Sequence, residues 1–243
     1  READEEPIPG YRLIKPLGSG GFGEVWLCEA PGAIHKAIKF VYGNLNALDG
    51  DDARAQQEMK ALERVKQVRH PFVLSIEQIQ DVGGELVIVM ELADKNLHET
   101  LVEYQEAGRP GIPRDMLLGF LDDAAVGLDH LIEKHNLQHL DVKPRNLFMV
   151  ADRVKVADFG LVKDQALPAA PALTQSNMIV GTPRYMAPEA LTAPERVGPR
   201  TDLYGLGAVG YYLLTGSHVF GGNTVEMFGH LLHTRPAWPS ACG

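Results

Sequence analysis

Residues 139–146 read His-Leu-Asp-Val-Lys-Pro-Arg-Asn, and twelve positions after Asn146 stands Asp158, followed by Phe159 and Gly160. Asp141 can accept the proton of an incoming hydroxyl. Lys143 offers a cation to a moving phosphoryl group. Asn146 and Asp158 offer two oxygen ligands to Mg²⁺, a hard cation that takes oxygen donors. Together these are the requirements of phosphoryl transfer from a metal nucleotide. A polar loop could carry Asp-x-Lys-x-x-Asn by chance. A strand and then Asp-Phe-Gly behind it argue against that reading.

Gly18-Ser19-Gly20-Gly21-Phe22-Gly23 is a second candidate, because glycines let main-chain amides approach phosphates closely. Alone it fits an ordinary hairpin or the turn of a dinucleotide-binding unit equally well. That unit needs a helix after the glycines. Here Glu24-Val25-Trp26-Leu27-Cys28 follows, which is strand-like. Ala37-Ile38-Lys39 then places a lysine in an apolar strand, costly to bury without a partner. A nucleotide's phosphates and a helix glutamate would be such partners; the solvent face of an edge strand is the alternative.

The elements that must hold these residues fall into two groups. Residues 11–17, 25–29, 35–41 and 86–92 are β-rich apolar runs, with Gly84 at a turn before the last. Between them, 51–68 has helical periodicity, with Met59, Leu62 and Val65 on one face, and Pro71 ends any helix there. Residues 97–107, 114–135 and 202–215 read as helices. Short strands at 147–150 and 154–156 carry the motifs. The segment 164–181, rich in Ala, Pro, Ser and Thr, reads as a loop.

Composition narrows the classes. The 243 residues allow one large domain or two small ones, and the net charge of −9 argues against nucleic-acid or anionic-membrane partners. Cys28 and Cys242 provide no disulfide framework, which fits a reducing compartment. The uncharged run 203–220 has nearly the length of a bilayer span, but its four glycines and Thr-Gly-Ser-His ending indicate a buried core helix. His230 and His233 have helical metal-pair spacing without a third ligand nearby, so a solvated helix face is expected.

Residues 139–160 resemble the catalytic core of the eukaryotic-type protein kinase family, and Thr174-Gln175-Ser176 shortly before Gly181-Thr182-Pro183 resembles its bacterial members. The resemblance runs from about 11 to 235. It implies a two-lobed α+β fold: a β-rich first lobe at 11–92 with one main helix, a hinge at 93–97, and a mostly helical second lobe at 98–243. The activation segment would be 158–189. It implies ATP and Mg²⁺ as cofactors and proteins as substrates. By resemblance Gly18 to Gly23, that is Gly18, Ser19, Gly20, Gly21, Phe22 and Gly23, cover the phosphates, and Lys39 holds them. Glu58 pairs with Lys39, with Glu63 the alternative. Val25, Ala37 and Phe148 sandwich the adenine, Met90 stands behind it, and main-chain groups of Glu91 and Ala93 bond its edge. Asp141 and Lys143 are catalytic; Asn146 and Asp158 bind the metal.

Lys143 two residues after Asp141, and Thr182 in Gly181-Thr182-Pro183-Arg184-Tyr185-Met186-Ala187-Pro188-Glu189, follow the serine/threonine pattern of the family. Thr174 and Ser176 are the implied autophosphorylation sites. Asp202 resembles the acid that caps the catalytic loop. His139 is expected to pack beneath that loop. Two departures stand out. Leu140 replaces the usual Arg, which weakens dependence on a phosphorylated activation segment; Lys163 could take its place in part. Only residues 203–243 follow Asp202, so the last helices of the second lobe are expected to be missing, leaving Glu189 unpaired. A cytoplasmic kinase domain, whose parent could be membrane-anchored elsewhere, is the resulting expectation. A pseudokinase or nucleotide-binding scaffold is the alternative.

Overall fold

The computed structural model describes residues 1–20, 23–42, 63–158, 163–164 and 182–239. Glu58, Thr174, Ser176, Gly21 and Phe22 lie outside them. The chain divides into two compact units, Arg1–Ala93 and Asp94–Gly243.

In the first unit, β1 (Arg12–Gly20), β2 (Gly23–Ala30), β3 (Ile34–Val41), β4 (Ile76–Val82) and β5 (Glu85–Met90) form one antiparallel sheet in the order β1-β2-β3-β5-β4. Alternation along the strands sends Leu13, Trp26, Cys28, Ile38, Phe40, Val87 and Val89 to one buried cluster with Ile8. Burial pushes the Cys28 thiol up to about 11, so it packs as a small apolar group. The expected turn at Gly84 is present: Gly83 and Gly84 both have positive φ, and the Asp81 carboxylate accepts the Gly84 N–H at 2.7 Å. Residues 63–66 are helical, the described end of the helix expected over 51–68, with Val65 and Val68 buried.

The second unit is mostly helical: α1 (Leu97–Glu106), α2 (Arg114–His135), α3 (Pro188–Thr192), α4 (Pro199–Thr215) and α5 (Thr224–His233). Short strands β6 (Lys95–Asn96), β7 (Leu137–Gln138), β8 (Leu147–Val150), β9 (Arg153–Val156) and β10 (Lys163–Asp164) complete it. β6-β8-β9 form one sheet, and β7 pairs with β10. α1 begins in a capping box: Asn96 Oδ1 accepts the His98 and Glu99 amides, and Glu99 returns a carboxylate to the Asn96 N–H. Leu117, Phe120, Ala124, Leu128 and Leu131 give α2 one apolar stripe. α2 stops at Asn136, whose φ of 54° is the left-handed cap that Asn tolerates.

α4 starts earlier than the expected 202, because Pro199 fits the first helical position and Thr201 Oγ1 accepts the Gly198 N–H. Gly205, Leu206, Val209 and Leu213 are buried, while Leu203 is 64% exposed. Gly210 allows α2 in close: a Cβ there would sit 2.9 Å from Leu121 Cδ1. No helix among the described residues is long and apolar enough to cross a membrane.

Buried Asp123 ties α2 to β9. Its carboxylate takes Arg153 through Nε at 2.9 Å and through a terminal nitrogen at 2.5 Å, and the Val154 N–H at 3.0 Å. Burial alone would raise this carboxyl, but the three donors hold it below the usual range.

Candidate active site

α2 and β7 deliver the chain to residues 139–146, and β8 carries it away. Asp202, only 2% exposed in the first turn of α4, holds the loop. Its carboxylate accepts the His139 N–H at 2.8 Å and the Leu140 N–H at 2.7 Å. Burial raises the Asp202 carboxyl, and the two amides oppose that shift by favouring its charged form. Leu140 has a φ of 62°, a left-handed conformation that costs a branched residue about 1 kcal/mol or more. The bonds from its own N–H and its neighbour's keep it there. Gly205 lets α4 lie against the loop, since a Cβ would sit 3.3 Å from Val142 Cβ.

His139 is buried beneath the loop, as expected. Its Nδ1 accepts the Asp141 N–H at 3.2 Å, and its Nε2 lies 2.8 Å from the Ala157 carbonyl. The pair requires the proton on Nε2 and a bare Nδ1. One ring thus connects the main chain of Asp141 to the residue before Asp158.

Asp141 is 8% exposed and is approached from three sides. Lys143 Nζ reaches Oδ2 at 2.5 Å, Asn146 Nδ2 reaches the same oxygen at 3.2 Å, and Thr182 Oγ1 donates to Oδ1 at 3.0 Å. Asn146 Nδ2 also bonds the Asp141 carbonyl at 2.9 Å. Asn146 therefore commits its nitrogen to Asp141, and its amide oxygen is the atom that could meet a cation. The β8–β9 ladder pairs Leu147 with Val156, and the Ala157 N–H bonds the Asn146 carbonyl at 2.9 Å. Asn146 and Asp158 consequently stand at the same end of one hairpin. An amide oxygen and a carboxylate there suit Mg²⁺.

In the first unit, Gly18 pairs with Val25, Ser19 with Glu24 and Gly20 with Gly23, so a hairpin and not a helix follows the glycines. Gly23 has a φ of 145°, and a Cβ there would fall 2.0 Å from the Phe40 carbonyl oxygen. Lys39 sits on β3 opposite Val25 and Ile88, beside Ala37, which pairs with Met90. The Glu91 N–H is taken by the Ser75 carbonyl at 3.0 Å. Phe148 lies on β8 in the second unit, opposite Asn96 and Lys155.

One expectation is overturned. Glu189 is not unpaired: Thr201 Oγ1 donates to its Oε1 at 2.9 Å, from the first turn of α4. The sequence reading also missed a cavity of about 210 Å³ lined by Lys143, Arg145, Thr182, Arg184, Tyr212 and His218, among others. Its residues come from segments far apart in the chain, so no local spacing marks it. The solvated helix face expected at His230 and His233 is present on Thr224–His233, where both are exposed; its start, which was not placed, is signalled by the capping box of Asn223 and Glu226.

The model of the protein kinase domain matches residues 11–236. The chain is 32% identical over 219 residues to serine/threonine-protein kinase pkn2 of Myxococcus xanthus, covering 87% of this chain and 25% of that protein. It is 32% identical over 225 residues to PknF of Mycobacterium tuberculosis, covering 90% and 45%. It is 31% identical over 237 residues to PknA of Corynebacterium glutamicum, covering 95% and 49%. The chain thus spans a quarter to half the length of these relatives. With a strand pair behind its glycines and a match over nearly all of its length, the chain belongs to the protein kinase family, of the eukaryotic type found in bacteria.

Proposed function

We propose that the chain phosphorylates serine and threonine hydroxyls of proteins, using Mg-ATP, and that it also phosphorylates its own activation segment at Thr174 and Ser176. The arrangement around Asp141 supports this most directly. Its buried carboxylate has Lys143 and Asn146 on one oxygen and a threonine hydroxyl on the other.

Bound Mg-ATP supplies the phosphoryl group and the metal charge on its phosphates. Asp141 orients the acceptor hydroxyl and takes its proton as the new O–P bond forms and the bond to the leaving ADP oxygen breaks. Thr182 already shows that a hydroxyl can donate to this carboxylate. Lys143 steadies Asp141 and offers charge to the transferred group. Asn146 and Asp158 hold Mg²⁺. The glycine hairpin and Lys39 hold the phosphates, with Glu58 fixing Lys39; Val25, Ala37, Met90, Glu91, Ala93 and Phe148 receive the base. We place this activity in the cytoplasm, where ATP is made and where a free buried thiol such as Cys28 stays reduced. Nucleic acid is not a partner in this reading, given the net charge of −9.

The test uses Asp141→Asn and Asp158→Asn. Asp141→Asn should lose nearly all transfer from radiolabelled ATP, to a peptide library and to the chain itself, and keep nucleotide binding. Asp158→Asn should lose Mg²⁺-dependent nucleotide affinity as well. Mass spectrometry should find phosphoserine and phosphothreonine. Transfer that survives both substitutions would sink the assignment, as would products that are mainly phosphotyrosine. Nucleotide binding without transfer in the unaltered chain would leave the scaffold reading.

A further inference from the structure

The cavity beside Asp141 is positively charged, in a chain whose net charge is −9. Lys143, Arg145 and Arg184 line it, and among the described residues no carboxylate does. Lys143 is paired with Asp141. Arg145 and Arg184 are exposed and have no ion-pair partner among the described residues. Two guanidinium groups facing one small space repel each other, an arrangement that an anion between them would relieve. Their charge is felt across the cavity. After burial, Arg145 is what lowers His98, and Arg184 is what lowers His218. One wall is flat and apolar: the His218 ring stacks on Tyr212 at 4.2 Å and 5°, with Tyr185 edge-on at 5.7 Å.

Size and position narrow the occupant. About 210 Å³ is below the volume of a typical small-molecule site, roughly 300 Å³ or more, and suits one or two side chains. Lys143 and Thr182 line the cavity and also contact the Asp141 carboxylate. Whatever fills it lies next to the hydroxyl that Asp141 receives.

We propose that Arg145 and Arg184 select protein substrates carrying an oxyanion, a carboxylate or a phosphate, next to the serine or threonine to be phosphorylated. This rests on the transfer reading above and adds its substrate class. Arginine suits the task because its planar fork meets either group through two hydrogen bonds.

The experiment uses fluorescein-labelled serine peptides, identical except for two residues flanking the serine. These are Asp, phosphoserine, Asn or Lys. Binding is read by anisotropy and transfer by kcat/KM. The Asp and phosphoserine peptides should bind about tenfold or more tighter than the Asn peptide, and the gap should shrink as salt is raised. The tighter of those two identifies the natural oxyanion. The double change Arg145→Gln, Arg184→Gln should bring the Asp and Asn peptides together. The double change Arg145→Glu, Arg184→Glu should reverse the preference toward Lys. Both side chains are exposed, so the core is untouched. Equal binding of Asp and Lys peptides by the unaltered chain overturns the proposal, as does an acidic preference that survives charge reversal. Acidic preference in binding without any transfer would instead bring down the kinase reading and leave the cavity assignment standing.

Discussion

Thr182 donates its hydroxyl to the Asp141 carboxylate, Oγ1 to Oδ1 at 3.0 Å, across 41 residues of chain. Lys143 and Asn146 occupy the other oxygen from within the loop. The direction of the Asp141 carboxylate is therefore set jointly by the loop and by a residue far along the chain. Thr182→Ala removes a hydrogen bond to a charged group, about 1.5–3 kcal/mol. We expect kcat/KM for a serine peptide to fall about tenfold or more. Thr182→Ser keeps the hydroxyl and should retain most activity. Equal rates for all three proteins would show that the hydroxyl does not orient Asp141.

Asp202 is the anchor of the same loop. Asp202→Ala would leave the His139 and Leu140 amides buried without acceptors, at about 1–3 kcal/mol each. It would also free Leu140 from its left-handed conformation. Urea unfolding should show a loss of several kcal/mol, and transfer should fall even where the protein stays folded. Asp202→Asn keeps one acceptor oxygen and should cost about half as much. A variant as stable and active as the parent would contradict the anchoring role.

The Asp123 carboxylate, 3% exposed, is satisfied by Arg153 and by the Val154 N–H. Asp123→Ala strands that amide and should cost about 2 kcal/mol of stability. The carboxyl is held below its ordinary value, so its contribution is present above about pH 4 and fades as pH falls through the lowered value. The stability gap between parent and Asp123→Ala, measured in urea, should accordingly narrow in acid. A gap that widens there would mean the carboxyl is not held low.

His218 gives the opposite kind of titration. Burial first, then the charges of Arg184 and His98, lower its value to about 4. The unfolded chain binds this proton near pH 6.5 and the folded chain does not. Stability should fall as pH drops through that value and keep falling to about 4. His218→Phe keeps a ring against Tyr212 and Tyr185 and removes the proton. Its unfolding free energy should lose less between about pH 7 and pH 5 than the parent's. Parallel pH profiles would refute the lowered value.

Much of the second unit was readable from local pattern. The helix Arg114–His135 has one apolar stripe, a proline before it and an asparagine cap after it, so both its bounds were visible. Asp141, Lys143 and Asn146 lie within six residues, so their closeness was legible from spacing, with the strand and Asp-Phe-Gly behind them marking the segment out from a chance polar loop. What local pattern missed was either weakly patterned or assembled from a distance. β4 (Ile76–Val82) is a partly exposed strand whose polar residues mask its alternation. Glu189 was expected to lack a partner because its usual one belongs to the missing last helices; its actual partner, Thr201, is twelve residues on, at a helix start where a threonine reads as a cap. Arg145 and Arg184 each look like ordinary surface cations. Only the fold puts them on one cavity.

Residues 139–158 look self-contained on paper, a cassette that could be cut out and grafted elsewhere. The Asp202 bonds say otherwise. The two amides that shape the segment are answered from α4, 62 residues beyond Leu140, and no residue inside the cassette replaces that carboxylate. An engineer who transplanted the catalytic string without this distant acid would move every reacting group and lose their aim. A mutation at Asp202 would then read in an activity screen as a catalytic lesion, although the side chain's bonds are to the main chain of the loop.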